Sequence, residues 1–312
     1  MANILNGGDN NDDAVYVYTG GRVPRDIRRA KIDESIDIIL AGAFQDCEQL
    51  IEVEGHKKLK KIEAETFMRC RSLRRVMKMN GVIEIENGAF LGCHVLSDLE
   101  FDKLEIVGVS LFAYCKSLRS INLPSVRRVG VCAFNNCTAL TEAAFGEDLE
   151  IFESYAFNVC TALRRIAIPL KDGLIIEDDA FNLCKNLSRV DIVGGIHEAI
   201  SSLHMKSWRD EMKEEIDRIN QTLPDTTSVV KTATIQQWII SAINRMENYK
   251  ADHQLLLKEA MTLLELALWK ARLEENRSNI DAESVEVVRK EHRVTCGASI
   301  VIKNVLPYLV LK

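Results

Sequence analysis

The 312-residue chain contains no G-x-x-x-x-G-K-[ST], G-x-G-x-x-G, H-E-x-x-H or G-x-S-x-G. The common phosphate-loop, dinucleotide, metalloprotease and serine-hydrolase signatures are therefore absent. It also lacks C-x-x-C and any cysteine–histidine cluster, which zinc requires for ligands converging at about 2.3 Å. Its six histidines have no recognisable catalytic partner, and the acidic pairs Asp178–Asp179 and Glu214–Glu215 fit solvated turns and helix faces. Positive charge is not in excess, with 40 Lys and Arg against 46 Asp and Glu, so the phosphate-neutralising composition of a nucleic-acid binder is missing. The first residues, MANILNGGDNNDDA, contain neither a basic n-region nor an apolar h-region. The most apolar run, Leu255–Trp269, is broken by Lys258, Glu259 and Glu265 and is too short to span a bilayer. These absences lead us to expect a soluble intracellular protein, most simply cytoplasmic, with no catalytic residue, cofactor, metal, nucleic acid or membrane contact.

What the chain has instead is one phrase repeated. AFQDCEQL, TFMRCRSL, AFLGCHVL, LFAYCKSL, AFNNCTAL, AFNVCTAL and AFNLCKNL place Phe at 44, 67, 90, 112, 134, 157 and 181, in steps of 22 to 24 residues. A cysteine follows each Phe by three, a leucine each cysteine by three, and an apolar residue each leucine by three. Another apolar residue stands five before each Phe. A period of this length is the mark of a solenoid: one coil cannot bury its own Phe, Leu and aliphatics, and identical coils above and below must cover them. The Leu-x-x-apolar stretch alternates as a strand does, as in LRSINL from Leu118 to Leu123, so each coil supplies one strand of a parallel sheet. The A-F-x-x-C stretch has a different period and is expected as a tight helical turn with its Phe inward. IRRAKI, from Ile27 to Ile32, falls in register one coil earlier and predicts an extra first strand.

The period, A-F-x-x-C-x-x-L and L-x-x-I-x-L-P, the last seen in LRSINLP and LRRIAIP, are similar to BspA-like leucine-rich repeats over about residues 15–196. Known members are mainly adhesion or surface proteins, together with large sets of uncharacterised proteins of single-celled eukaryotes. The resemblance implies a leucine-rich repeat solenoid that binds protein.

Seven of the nine cysteines occupy one slot of the repeat, where a free thiol serves as a small hydrophobe. Disulfides between coils would need an oxidising compartment. Cys132 and Cys296 lie off this ladder and are the two positions where a surface thiol is conceivable.

Outward positions of the strands are the candidate partner-binding face, because side chains alternate across a sheet. They form columns of mixed charge, which suit a polar protein or peptide better than a polyanion. The residues singled out are Arg75, Met77, Glu100, Arg119, Asn122, Arg164, Arg165, Arg189 and Asp191, with Arg74 in the same rows. Arginine is favoured there because its planar fork recurs in interface hot spots.

The repeat stops at Gly194–Gly195. The expected organisation is a disordered tail at 1–14, a solenoid of about seven repeats at 15–196, and a helical carboxy-terminal domain at 197–312. Apolar stripes predict one helix through Trp208, Met212, Ile216 and Ile219, a second from Ile235 to Met246, and a third over about residues 251–275. The stretch TCGASIVIKNVLPYL is expected to hold a short helix ending at Pro307. The third helix is apolar on several sides and so belongs inside a bundle or between chains. The fold class is an α/β repeat solenoid with an all-α region after it, and the helices either cap the last coil or form a homodimer. Function reads as a non-enzymatic scaffold that presents its strand face to another protein. The alternatives are a substrate-recognition arm of an enzyme complex, or a surface adhesin if the chain is exported.

Overall fold

The computed structural model describes residues 4–5, 14–99, 101–193, 200, 203 and 205–277. They separate into two compact units, one of residues 1–195 with Asp217–Ile240, the other of Ile196–Ile216 with residues 241–312.

The first unit is a parallel β-solenoid. One column of strands runs through β1 (Ile4–Leu5), β2 (Val15–Tyr18), β3 (Arg29–Ile32), β5 (Glu52–Glu54), β7 (Arg75–Met77) and β9 (Asp98–Leu99). It resumes as a separate sheet with β11 (Ser120–Leu123), β13 (Glu142–Phe145), β15 (Arg165–Ile168) and β17 (Arg189–Ile192). All pairs are parallel except β1 with β2. β3 is the additional strand expected from IRRAKI, whereas β2 was not foreseen. Within the stretch read as a tail, Ile4–Leu5 pairs with β2, and the rest of residues 1–13 lies outside the described residues.

A second, seven-stranded column was also missed: β4 (Ile38–Ile39), β6 (Lys61–Ile62), β8 (Glu84–Ile85), β10 (Ile106–Val107), β12 (Arg128–Val129), β14 (Ile151–Phe152) and β16 (Ile175–Ile176). Each of these strands has only two residues, too few to show an alternating pattern in sequence.

Between the columns run the repeated phenylalanines, all 0% exposed. Their rings stack from Phe44 to Phe181 at 4.9–5.6 Å, with neighbouring planes 10–26° apart, an offset aromatic stack that adds to the burial of the rings. Tyr18 closes the near end, 5.2 Å from Phe44. The A-F-x-x-C segment is not the helical turn expected. It is a chain of tight turns in which the residues two before and two after each Phe have φ of 52–76°. That geometry costs an L-residue roughly 1 kcal/mol or more. It persists because it aims the amides of Phe and of the second residue after it at carbonyls of the next coil, as in Phe134 N to Ala156 O (2.7 Å) and Asn136 N to Asn158 O (2.9 Å). Val159, at φ 60°, is β-branched and holds this conformation through the same bond, its amide meeting Asn182 O at 3.0 Å.

Coil spacing also sets a glycine. A Cβ built on Gly146 would lie 1.7 Å from Pro124 O, a backbone atom of the preceding coil. Gly146→Ala must push two coils apart and is expected to cost about 1–3 kcal/mol. Gly173→Ala, which meets nothing within 4 Å but has φ +78°, is expected to cost only about 1 kcal/mol of backbone strain. Urea melts of the two variants would compare them directly.

Two helices follow, α1 (Lys206–Thr222) and α2 (Lys231–Arg277). The second and third expected helices are thus one helix. No glycine or proline interrupts residues 247–252, and a single buried heptad runs through Ile239, Met246, His253, Ala260 and Ala267. Three of those five are histidine or alanine, which do not mark an apolar stripe. In the second unit, Trp208 stacks on Tyr249 (5.1 Å, 7°), whose hydroxyl donates to Glu211, and Arg245 pairs with Glu215 at 3.1 Å. The expected helix before Pro307, and Cys296, lie outside the described residues. No described helix is long and apolar enough to cross a membrane.

Candidate functional site

Each ladder cysteine does more than fill space. Six of the seven thiols donate to the carbonyl of the Phe one coil earlier: Cys70 to Phe44 (3.0 Å), Cys93 to Phe67 (3.1 Å), Cys115 to Phe90 (3.3 Å), Cys137 to Phe112 (3.1 Å), Cys160 to Phe134 (3.0 Å) and Cys184 to Phe157 (3.1 Å), and Cys47 donates to Pro24 O at 3.7 Å. This explains why the slot holds a small residue with a weak donor. The eight described cysteines are all free thiols. Burial raises the pKa of Cys137 to about 12 and that of Cys47 to about 11, and it also raises the half-buried Cys132. In the native state, thiol reagents at pH 8 should therefore leave the ladder unmodified, with reaction appearing only as urea unfolds the protein. Unfolded thiols ionise near 9.0. Between about pH 9 and 12 the unfolded state binds fewer protons than the native one, so stability must fall as pH rises through that window. A melting temperature constant from pH 8 to 10.5 would contradict the buried ladder.

The strand face is where the expected site residues fall, and the structure sorts them into two groups. Some are tied to carboxylates of an adjacent coil or of their own strand. Arg75 pairs with Asp98 at 3.5 Å, and Arg165 and Arg189 both grip Asp191, the latter at 2.7 Å. Arg29–Glu52 (3.3 Å) and Lys78–Glu54 (2.6 Å) are similar rungs. The alternating charges read as suiting a partner are thus largely neutralised between coils. Such exposed pairs are each worth at most about 1 kcal/mol, but they hold the side chains in place.

The other group stands free. In the position after the ladder leucine, Arg74, Ser97, Arg119, Thr141, Arg164 and Ser188 alternate along the solenoid. Each hydroxyl donates to the carbonyl of the arginine before it: Ser97 to Arg74 (3.4 Å), Thr141 to Arg119 (2.9 Å) and Ser188 to Arg164 (3.4 Å). Among the described residues, the guanidinium groups of Arg74, Arg119 and Arg164 have no carboxylate partner, and all three residues are exposed. This two-coil alternation was present in the sequence as Arg74/Arg119/Arg164, but only the ion pairs distinguish it from the arginines one position further on. Met77 is half-buried on β7, Asn122 is exposed on β11, and Glu100 lies outside the described residues.

A parallel solenoid built on stacked phenylalanines, thiol–carbonyl bonds and a leucine-led strand column is a leucine-rich repeat protein. The chain belongs to the BspA type leucine-rich repeat family, whose repeat region matches it in six copies over residues 25–126 and 105–207. Membership suggests a protein-interaction or adhesin-type role, and leucine-rich repeat proteins are typically non-enzymatic binders. No curated protein matches the chain. Similar solved structures include a leucine-rich repeat protein of Treponema pallidum, 22% identical with TM-score 0.48, covering 60% of this chain and 87% of that one. A leucine-rich cell surface protein of Faecalibacterium prausnitzii is 18% identical with TM-score 0.34, covering 62% and 78%. The pneumococcal vaccine antigen PcpA is 19% identical with TM-score 0.36, covering 55% and 38%.

Proposed function

We propose that the protein is a non-enzymatic intracellular scaffold that binds another protein on the strand face of its solenoid. The observation that carries this reading is the row of exposed arginines, Arg74, Arg119 and Arg164, with no carboxylate partner among the described residues on a face where neighbouring cations are paired. Buried, unpaired thiols in every coil agree with a reducing compartment. The test is a photo-crosslinking residue in place of Asn122 on β11, with one in place of the exposed Tyr114 on the turn side for comparison. Specific protein adducts from position 122 alone support the strand face. Equal capture from both, or capture from 114 alone, rejects it.

Homodimerisation through α2 is a second component of the proposal. Leu257, Met261, Leu264 and Leu268 recur at i, i+4, i+7 and i+11, and all are 40–58% exposed. Lys258 and Glu265 flank this stripe one heptad apart, so antiparallel pairing with a second copy sets Lys258 against the partner's Glu265 twice over. Light scattering on the full chain at tens of micromolar should give a dimer mass, and Met261→Glu with Leu268→Glu should return it to monomer. A monomeric wild-type chain would dismiss the idea.

A further inference from the structure

Among the described residues, the strand column is interrupted between β9 and β11. In the third coil Phe101 is buried, tilted against Phe90 at 6.3 Å. Leu99 is only half-buried, although its counterparts Val76 and Ile121 are buried. Elsewhere, two successive amides share one carbonyl across coils: Arg74 and Arg75 reach Ile51 O at 2.7 and 3.3 Å, and Arg164 and Arg165 reach Thr141 O at 2.9 and 3.2 Å. The corresponding amides of Arg119 and Ser120 make no such bond to Ser97 among the described residues.

The break coincides with a depression of about 780 Å³, lined among others by Arg71, Arg74, Arg119, Ser97, Ser117 and Ser120. Two carboxylates temper it: Asp98 is held by Arg75, and Glu48 meets Arg71 at 3.6 Å. Lys116 adds a further cation, and His94 registers the surplus. Burial first, then the charges of Lys116 and Arg71, hold its imidazole below the usual range. In a chain of net charge −6 this is a local concentration of positive charge and hydroxyls. Those are the groups that bind an oxyanion.

We propose that this depression recognises an acidic segment of an extended peptide, a deeper form of the strand-face reading and dependent on it. One carboxylate sits between Arg74 and Arg119 and accepts from their guanidinium groups and from the hydroxyls of Ser97 and Ser120. A second meets Arg164. Paired strands stack about 4.8 Å apart, so Arg119 and Arg164, two coils apart along the ladder β11–β13–β15, stand about 10 Å from each other at the backbone, and an extended peptide spaces every third residue by about the same length. The preferred ligand therefore has an acidic residue at every third position and runs along the solenoid axis, across the strands.

The probe is a fluorescein-labelled peptide of five Glu-Ser-Gly repeats, titrated by fluorescence anisotropy with the full chain at low ionic strength. Saturable binding is expected. Arg74→Gln and Arg119→Gln should each weaken it by about tenfold, the loss of one charge-assisted contact. Arg127→Gln, which removes a cation elsewhere, should leave it unchanged, whereas replacing Glu by Gln in the peptide should abolish binding. Melting temperatures of the variants establish that they fold. Absence of saturable binding, equal binding by folded Arg74→Gln and Arg119→Gln, or binding only when the peptide serines are phosphorylated would each overturn the proposal. If the crosslinker at 122 captures a protein while the acidic peptide fails, only this inference falls. If both fail, the strand-face reading falls with it.

Discussion

Phe134→Ala should lower stability by about 3–5 kcal/mol, the range for removing a buried aromatic ring and leaving a cavity behind. Its ring lies between Phe112 at 5.4 Å and Phe157 at 4.9 Å, so both faces lose a stacked neighbour. Coils contact only the coils beside them, and a hole in the middle of the array weakens the coupling between the two halves. The urea transition should therefore move to lower denaturant and also broaden, as the halves begin to unfold separately. An unchanged midpoint would show that the ring is not in the stack.

The second large effect is expected at the far end of the solenoid. The last coil has no successor, and side chains from residues 217–240 take the place of one. Asn220 accepts from Val190 N at 2.8 Å and donates to Val190 O at 3.1 Å, completing the edge strand β17. Thr232 Oγ1 accepts from Phe181 N at 3.0 Å, the role that Ala180 O plays for Phe157 N one coil earlier. Gln236 donates to Ile176 O at the edge of the other sheet, and the buried Lys231 donates to the carbonyls of Lys185 and Leu187. Asn220→Leu keeps the volume and removes both bonds to Val190, stranding one donor and one acceptor at a partly buried edge. The expected loss is about 2–4 kcal/mol. Hydrogen exchange at the Val190 amide gives the specific readout: its protection should collapse while that of the Phe90 amide, four coils away, stays near its wild-type value. Retained protection at Val190 would remove Asn220 from the cap.

Both predictions rest on features of differing visibility. The phenylalanine column could be read directly, because a solenoid repeats one environment and so repeats the residue that fills it. Leu and Cys were legible for the same reason, although the cysteine's hydrogen bond was not: spacing reveals that a slot is small and buried, not that a carbonyl faces it. The cap was invisible at residue level. Asn220, Lys231, Thr232 and Gln236 are ordinary polar residues on helices, and nothing in their spacing says which carbonyl each will meet. The candidate site lay between these extremes. Its arginines were recognised, but Arg74, Arg119 and Arg164 could not be separated from Arg75, Arg165 and Arg189. That separation depends on which carboxylates come within reach, and two of them, Asp98 for Arg75 and Asp191 for Arg165, lie a full coil away in sequence.

The sequence alone determined the coil, its number and its inward face, since burial of an apolar residue at a fixed period is a local requirement met by identity and spacing. Tertiary structure alone decided how the coils differ. Among the described residues the strand column is interrupted between β9 and β11, α2 continues through the point where two apolar stripes change phase, and four polar side chains stand in for an eighth coil. Each of these depends on hydrogen bonds and close contacts between residues far apart in the chain, whose strength is set by distances of a few tenths of an ångström that no periodicity records.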